Sequence, residues 1–354
     1  MSGPYRSVHW NRQKKIYDRL LVGSVLIAIG LFIAITGALR PELTAETLLL
    51  RSTSITAVIL LHLALAIGPL ARLDRRFLPF LYNRRHLGVL IFFLAFVHAA
   101  LATIQFHALG DANPFVSIFT AYSSDYALGE RISQFPFEPF GALALAILFL
   151  MAATSHDFWL RNLGASFWKL IHSFVYVAYA AMVLHVAFGV LQSERSPAGP
   201  ILLGFGFVML AGLHIAAQQK ESKVDRRAAI ATEEGFVRVC SVDDLPTDGS
   251  GKSLRAGEER VALFHNEGKI HALSNACRHQ GGPIGEGKIL DGCVTCPWHG
   301  WQYGPEDGKS PPPFHEVIAT YPTRVVGRDV WVRPVANELG AACPGSAVGE
   351  ESSS

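Results

Sequence analysis

Charge is scarce in this sequence: only 17% of its 354 residues are Asp, Glu, Lys or Arg, whereas half are hydrophobic. Nearly every long apolar run falls within residues 16–217, and the remainder is polar and rich in Gly and Pro. A single soluble fold is excluded; a membrane domain followed by a small globular one is implied. Charge of one sign is also lacking, the formal net charge being +2. Nucleic acid would find no electrostatic footprint here, so it is not an expected partner. Cysteine is sparse as well. Five in the whole chain cannot build a disulfide framework, and Cys277, Cys293 and Cys296 crowd together as they would at a metal site.

What is present is hydrophobicity of membrane length. A helix crosses the ~30 Å hydrocarbon layer with roughly 20 apolar residues, and candidates occur at 20–39, 54–70, 87–103, 140–154, 167–191 and 201–217. These predict a six-helix transmembrane bundle. The first run follows Arg12, Lys14, Lys15 and Arg19, as a signal peptide would, but it is too long for that and has no small-residue cleavage site. It reads as a retained anchor. Basic residues gather in the amino-terminal tail, at Arg72, Arg75, Arg76, Arg84 and Arg85, and at Lys220, Lys223, Arg226 and Arg227; the segment between the third and fourth runs has only Arg131 against Asp111, Asp125, Glu130 and Glu138. The positive-inside rule then predicts a multi-pass protein of the inner (cytoplasmic) membrane with both termini cytoplasmic, and the third and fifth helices running parallel.

Histidine is costly in hydrocarbon, so each one there needs a partner or a ligand. His86 and His98 lie twelve residues apart on the third run, His172 and His185 thirteen apart on the fifth. At 1.5 Å per residue those separations are about 18 and 20 Å, so two parallel helices offer imidazoles at two matching depths. That is the layout of one or two b hemes, each held by a histidine from either helix. His62 and His214 have no such match and read as packing residues. At ~100° per residue an unbroken helix sets His172 and His185 about 140° apart, and His86 and His98 about 120° apart, so a π-bulge, a kink or binding from different faces is required.

Arg84-Arg85-His86-Leu87-Gly88 leading to His98, and Trp168-Lys169-Leu170-Ile171-His172-Ser173-Phe174-Val175-Tyr176 leading to His185, resemble the ferric reductase-like transmembrane domain. They are similar in particular to the heme-binding membrane subunit that feeds a periplasmic methionine sulfoxide reductase. The resemblance implies bis-histidine b heme and electron transfer across the membrane. Ferric reductases and NADPH oxidases of this kind continue into a flavin and nicotinamide domain; here the continuation is different, which implies another source of electrons. Arg84 and Arg85 are suited to heme propionates at the cytoplasmic face.

Beyond a linker at 218–234, residues 235–334 alternate short apolar runs with turn residues and predict a small antiparallel β domain; 335–354 are expected to be a disordered tail. Residues 1–19 form the amino-terminal tail and 20–217 the membrane domain. Within the β domain lie Cys277-x-His279 and Cys296-x-x-His299. Spacing alone permits zinc. The loops, Cys277-Arg278-His279-Gln280-Gly281-Gly282-Pro283 and Cys296-Pro297-Trp298-His299-Gly300-Trp301, with Ser310-Pro311-Pro312-Pro313 available to cover them, resemble a ferredoxin-type Rieske domain. That resemblance implies a [2Fe-2S] cluster with Cys277 and Cys296 on one iron and His279 and His299 on the other, the histidine-bound iron being the exposed electron port. The disulfide positions of quinol-oxidising relatives correspond to Gly282 and Trp298, and Trp301 replaces a serine donor, so a low potential is expected, with Tyr303 a donor to Cys296. Cys293 reads as a packing thiol.

The expected function is membrane electron transfer, oxidoreductase in type: a cytoplasmic donor, a flavoprotein reductase by class, feeds the Rieske cluster, then b heme, then an unknown extracytoplasmic acceptor. The alternative is a membrane-anchored redox sensor or quinone-linked module without transmembrane transfer. A Rieske oxygenase needs a further mononuclear iron domain, for which the residues after 334 are too few.

Overall fold

The computed structural model describes residues 12–77, 80–81, 83–108, 113–120, 137–163, 165–189, 198–226, 232–279, 281–298, 300–312 and 314–349. The chain divides into a helical unit, Val8–Ile215, and a second unit built on Ala216–Ser354.

Apolar runs become helices because every backbone polar group is then answered within the segment. In the first unit these are α1 (Arg12–Leu39), α2 (Ala45–Leu73), α3 (Arg84–Thr103), α4 (Pro114–Thr120), α5 (Glu138–Ala153), α6 (Asp157–Leu163), α7 (Ala165–Ser173), α8 (Val175–Phe188) and α9 (Ala198–Arg226), the last continuing into the second unit. Thr44 starts α2, its hydroxyl accepting from the Thr47 N–H. Leu60, Leu61 and Leu65 of α2, Leu87, Ile91 and Leu94 of α3, Leu148 of α5 and Ala178 of α8 form a common buried core. Leu20, Leu26, Leu31 and Leu39 of α1 and Leu202, Phe205 and Val208 of α9 are exposed, as side chains facing lipid would be.

Among the described residues five helices, not the expected six, are long and apolar enough to cross a membrane, α7 and α8 counting as one over Phe167–Phe188. The shortfall is α5. Its sixteen residues extend only ~24 Å. It starts at Glu138-Pro139, and it ends where the hydroxyls of Thr154 and Ser155 take the carbonyls of Leu150 and Met151. The fifth run keeps its length but is interrupted at one residue. Ser173 Oγ donates back to the Leu170 carbonyl over 2.6 Å, a bond that competes with the helical ladder, and the chain turns at Phe174 between α7 and α8. This break separates His172 from His185. On α3 the helix is continuous between His86 and His98, and its π turn, Ile104–Ala108, comes afterwards.

The second unit is all-β after α9. Its central strands β4 (Glu259–Asn266) and β5 (Lys269–Ser274) are joined by a tight turn with Glu267 and Gly268 both at positive φ, the geometry that matches strand twist in a two-residue hairpin. β3 (Lys252–Ala256) flanks β4, while β9 (Thr320–Tyr321) and β12 (Ser346–Ala347) pair with β5. A second sheet runs β1 (Thr232–Glu233), β2 (Phe236–Ser241), β11 (Asp329–Val332), β10 (Thr323–Val326), and a third joins β6 (Lys288–Leu290), β7 (Cys293–Thr295) and β8 (Gln302–Tyr303). Val261, Ala262, Leu263 and Phe264 are all fully buried. β4 therefore feeds two cores: Val261 and Leu263 pack with Ile270, Val330 and Val332, whereas Ala262 and Phe264 pack with Ile284, Tyr303 and the two cysteines Cys277 and Cys296.

The expected disordered tail is a correction. Within it Ser346–Ala347 return to the sheet as β12, with the Ser346 N–H donating to Thr323 Oγ1, Ser346 Oγ donating to the Thr323 carbonyl, and the Val348 N–H donating to Gly268 O, while 350–354 lie outside the described residues. Gly345 permits the approach, since a Cβ there would lie 2.8 Å from the Ile270 carbonyl. Polar composition concealed it because a strand of two residues leaves no periodicity. Ending the chain at Gly345 removes those three bonds and should lower the stability of this unit by about 2–3 kcal/mol, read as a fall in the midpoint of chemical denaturation.

Candidate metal centres

The loop after β5 and the loop between β7 and β8 are built alike. In the first, the Cys277 N–H donates to Gly282 O and the Gly281 N–H to Cys277 O; in the second, the Cys296 N–H donates to Trp301 O and the Gly300 N–H to Cys296 O. Gly281 and Gly300 stand at φ +72° and +70°, which only glycine adopts without cost. Each loop is thus closed around its cysteine by the same pair of backbone bonds. The loops also meet. A Cβ on Gly282 would lie 2.7 Å from Cys296 Sγ and 3.1 Å from Trp298, so the two expected disulfide positions face each other, with a glycine filling the space.

Cys277 and Cys296 are buried. Among the described residues no disulfide forms and no group of three or more potential ligands converges; His299 lies outside those residues. Tyr303 is fully buried, its hydroxyl 3.3 Å from Cys277 Sγ and accepting from the Arg278 N–H at 3.0 Å. Sequence reasoning assigned this hydroxyl to Cys296; β8 delivers it to Cys277. Burial, and next the neighbouring Cys277, push the phenol's pKa up, so it keeps its proton and stays a donor to sulfur. Cys293 is half-buried, its thiol pushed up by burial and then by Asp291, which suits a packing thiol. Two thiolates, two imidazoles, a donor to sulfur and a close-fitting glycine suit an iron-sulfur cluster.

In the helical unit His98 and His185 face each other, ring centres 6.3 Å apart and planes at 78°. An iron about 2 Å from each Nε2, with each ring centre about 1 Å further, needs a separation of about 6 Å. Both rings are anchored at the other nitrogen: His98 Nδ1–H donates to Leu50 O at 3.2 Å, and His185 Nδ1–H to Phe137 O at 2.9 Å. Gly141 makes room, for a Cβ there would stand 2.7 Å from the His185 ring. Outer partners of this kind fix which nitrogen is offered to a metal.

At the other level the rings have different partners. His86 Nδ1 engages Asp18 at 2.7 Å. His172 donates Nδ1–H to Trp168 O at 3.0 Å and stacks on Trp168 at 3.6 Å, its Nε2 buried without a hydrogen bond among the described residues. Arg85 lies 5.1 Å over the same indole and donates to Ser155 O. His62 and His214 have both nitrogens occupied, by Val58 O and Tyr179 Oη and by Leu210 O and Tyr176 Oη.

The description Rieske [2Fe-2S] domain matches residues 235–322. The chain is 36% identical over 98 residues to the ferredoxin component of the alkene monooxygenase system of Xanthobacter autotrophicus, covering 27% of this chain and 80% of that one. To the biphenyl dioxygenase ferredoxin subunit of a Pseudomonas species it is 37% identical over 100 residues, covering 27% and 90%. The chain belongs to the Rieske [2Fe-2S] family. Its Rieske domain is joined to a second module, since ferric reductase like transmembrane component matches residues 53–183. Protein-methionine-sulfoxide reductase heme-binding subunit MsrQ of Deinococcus radiodurans is 33% identical over 107 residues, covering 29% of this chain; the chain spans about half the length of that protein. Together the two modules make this a multi-pass membrane protein of electron transfer.

Two outcomes follow from the geometry. Tyr303→Phe removes a hydrogen bond to a cysteine sulfur and so should lower the cluster's midpoint potential, read by potentiometry followed by electron paramagnetic resonance, with iron and sulfide content retained. Gly141→Ala drives a methyl into the His185 ring and should deplete b-type absorption while leaving the Rieske signal intact.

Proposed function

We propose that this protein carries single electrons from a cytoplasmic donor, through the Rieske domain, to b heme between His98 and His185, and on to an acceptor on the far side of the membrane. When bound, the cluster and the heme each supply a one-electron couple. The observation that carries the proposal is the 6.3 Å spacing of two imidazoles whose Nδ1 atoms are already committed to backbone carbonyls. His62 and His214 in the same bundle spend both nitrogens on protein; among the described residues His98 and His185 have no hydrogen-bond partner at Nε2, which leaves it for a ligand.

Cys277, His279, Cys296 and His299 hold the cluster in this reading. Tyr303 stabilises charge on the Cys277 sulfur, and Gly282 keeps the pocket close enough to exclude water. His172 and His86 are the candidates for a second heme level, with Arg84 and Arg85 placed to meet propionates. The charge pattern of the loops supports an inner-membrane location with both termini and the Rieske domain cytoplasmic. Ferredoxin-type relatives favour a flavoprotein reductase as donor. Heme-binding MsrQ favours export of the electron across the membrane.

Purified protein should contain about two irons and two acid-labile sulfides per chain besides heme, with b-type absorption that disappears in His185→Ala while the Rieske resonance persists. In sealed vesicles, donor added on the Rieske side should bleach an impermeant acceptor on the other side, and His185→Ala should abolish this. A bundle without heme would leave the sensor or quinone-linked alternative in its place.

A further inference from the structure

His279 is covered. Its ring lies parallel to the Trp301 indole, centres 4.5 Å apart and planes within 10°, and only 8% of the residue reaches solvent. The imidazole is thus stacked against an indole on this side. Trp301 is itself 5% exposed and is held from the third loop. Its Nε1–H donates to Ser310 Oγ at 3.0 Å, and the Phe314 ring packs 4.3 Å from it at 54°. Phe314 is half-buried. Imidazole, indole and phenyl therefore make one line of contacts from a cluster ligand to the surface.

Of the three rings Phe314 is the most exposed, and the indole lies between it and the His279 imidazole. Burial of so large an aromatic pair supplies stability, but stability alone needs neither a plane parallel to the ligand nor a hydrogen bond that fixes the indole's rotation. Fixed, contiguous contacts of this kind favour electronic coupling.

We propose that Trp301 and Phe314 form the electron port on the His279 side: a one-electron reductant of the flavin class docks at Phe314 and couples to His279 through the indole. One electron leaves the reduced flavin, one ferric iron becomes ferrous, and no bond or proton moves with it. The proposal rests on the cluster being held by Cys277, His279, Cys296 and His299, which iron and sulfide counts on the same samples check separately.

The test is flash reduction of the full-length, cluster-loaded protein by photogenerated flavin semiquinone, followed at the cluster's own visible bands, beside its midpoint potential. Trp301→Leu should slow second-order reduction several-fold with the midpoint unchanged. Trp301→Phe, which keeps a stacked ring, should restore most of the rate. An unchanged rate in Trp301→Leu overturns the proposal, and so does a faster one, the result expected if the indole merely shields the imidazole. Phe314→Leu, one ring further from iron, carries the test if Trp301→Leu loses its cluster. It should slow reduction at constant midpoint, and a normal rate there refutes the port.

Discussion

An imidazole in hydrocarbon must have its ring nitrogens answered, because an unpartnered polar group there has no water to fall back on. The bundle meets this constraint in two ways. Where both nitrogens find protein, as in His62 and His214, the ring is a packing element tied to a helix carbonyl and a tyrosine. Where one nitrogen is given to a distant backbone carbonyl, Leu50 O for His98 and Phe137 O for His185, the other is held in a fixed direction and has no hydrogen-bond partner among the described residues. The second arrangement orients a ring nitrogen as a ligand would need, which is what the proposed heme site draws on.

The Rieske domain answers the same constraint with backbone. Sulfur is large and carries charge when it binds iron, so its loop must supply donors without side chains in the way. Both loops close with one backbone hydrogen-bonding scheme repeated around Cys277 and Cys296, each relying on a glycine at positive φ, and at Cys277 the donor to sulfur is the Tyr303 hydroxyl. Because these cysteines also belong to the core that Ala262 and Phe264 of β4 enter, the site is an extension of the packed interior. Strand and ligand are positioned together.

The two-module architecture is legible in the sequence. Cys277, His279, Cys296 and His299 stand out as candidates because their spacing and glycine context are local, and His98 and His185 because a polar residue in an apolar run is conspicuous. What was not legible depends on contacts distant in sequence. Nothing in the spacing of Tyr303 says which of two cysteines its hydroxyl reaches; β8 pairing with β7 decides it. Nothing in Phe167–Phe188 announces a break at Phe174, since hydropathy is unaffected by a hydroxyl bonding to the carbonyl three residues back. The sixth span failed for a similar reason: α5 is apolar enough, but its ends are set by Pro139 and by two hydroxyls that take its last carbonyls.

The break at Phe174 also bears on how two imidazoles can share one helix line. An unbroken helix would turn His172 and His185 about 140° from each other, away from any common neighbour. With a turn between them, each ring is aimed by its own segment: His172 by stacking on Trp168 within α7, His185 by Phe137 O from outside α8. On α3 no such device intervenes. His98 meets α8, whereas His86, about 120° round the same helix, meets Asp18 of α1. The level of His98 and His185 is therefore shaped by direct opposition of two rings. The level of His172 is shaped by an indole, a pair of arginines and a buried nitrogen, so the two levels are chemically unlike, and an electron passing between them would meet two different environments.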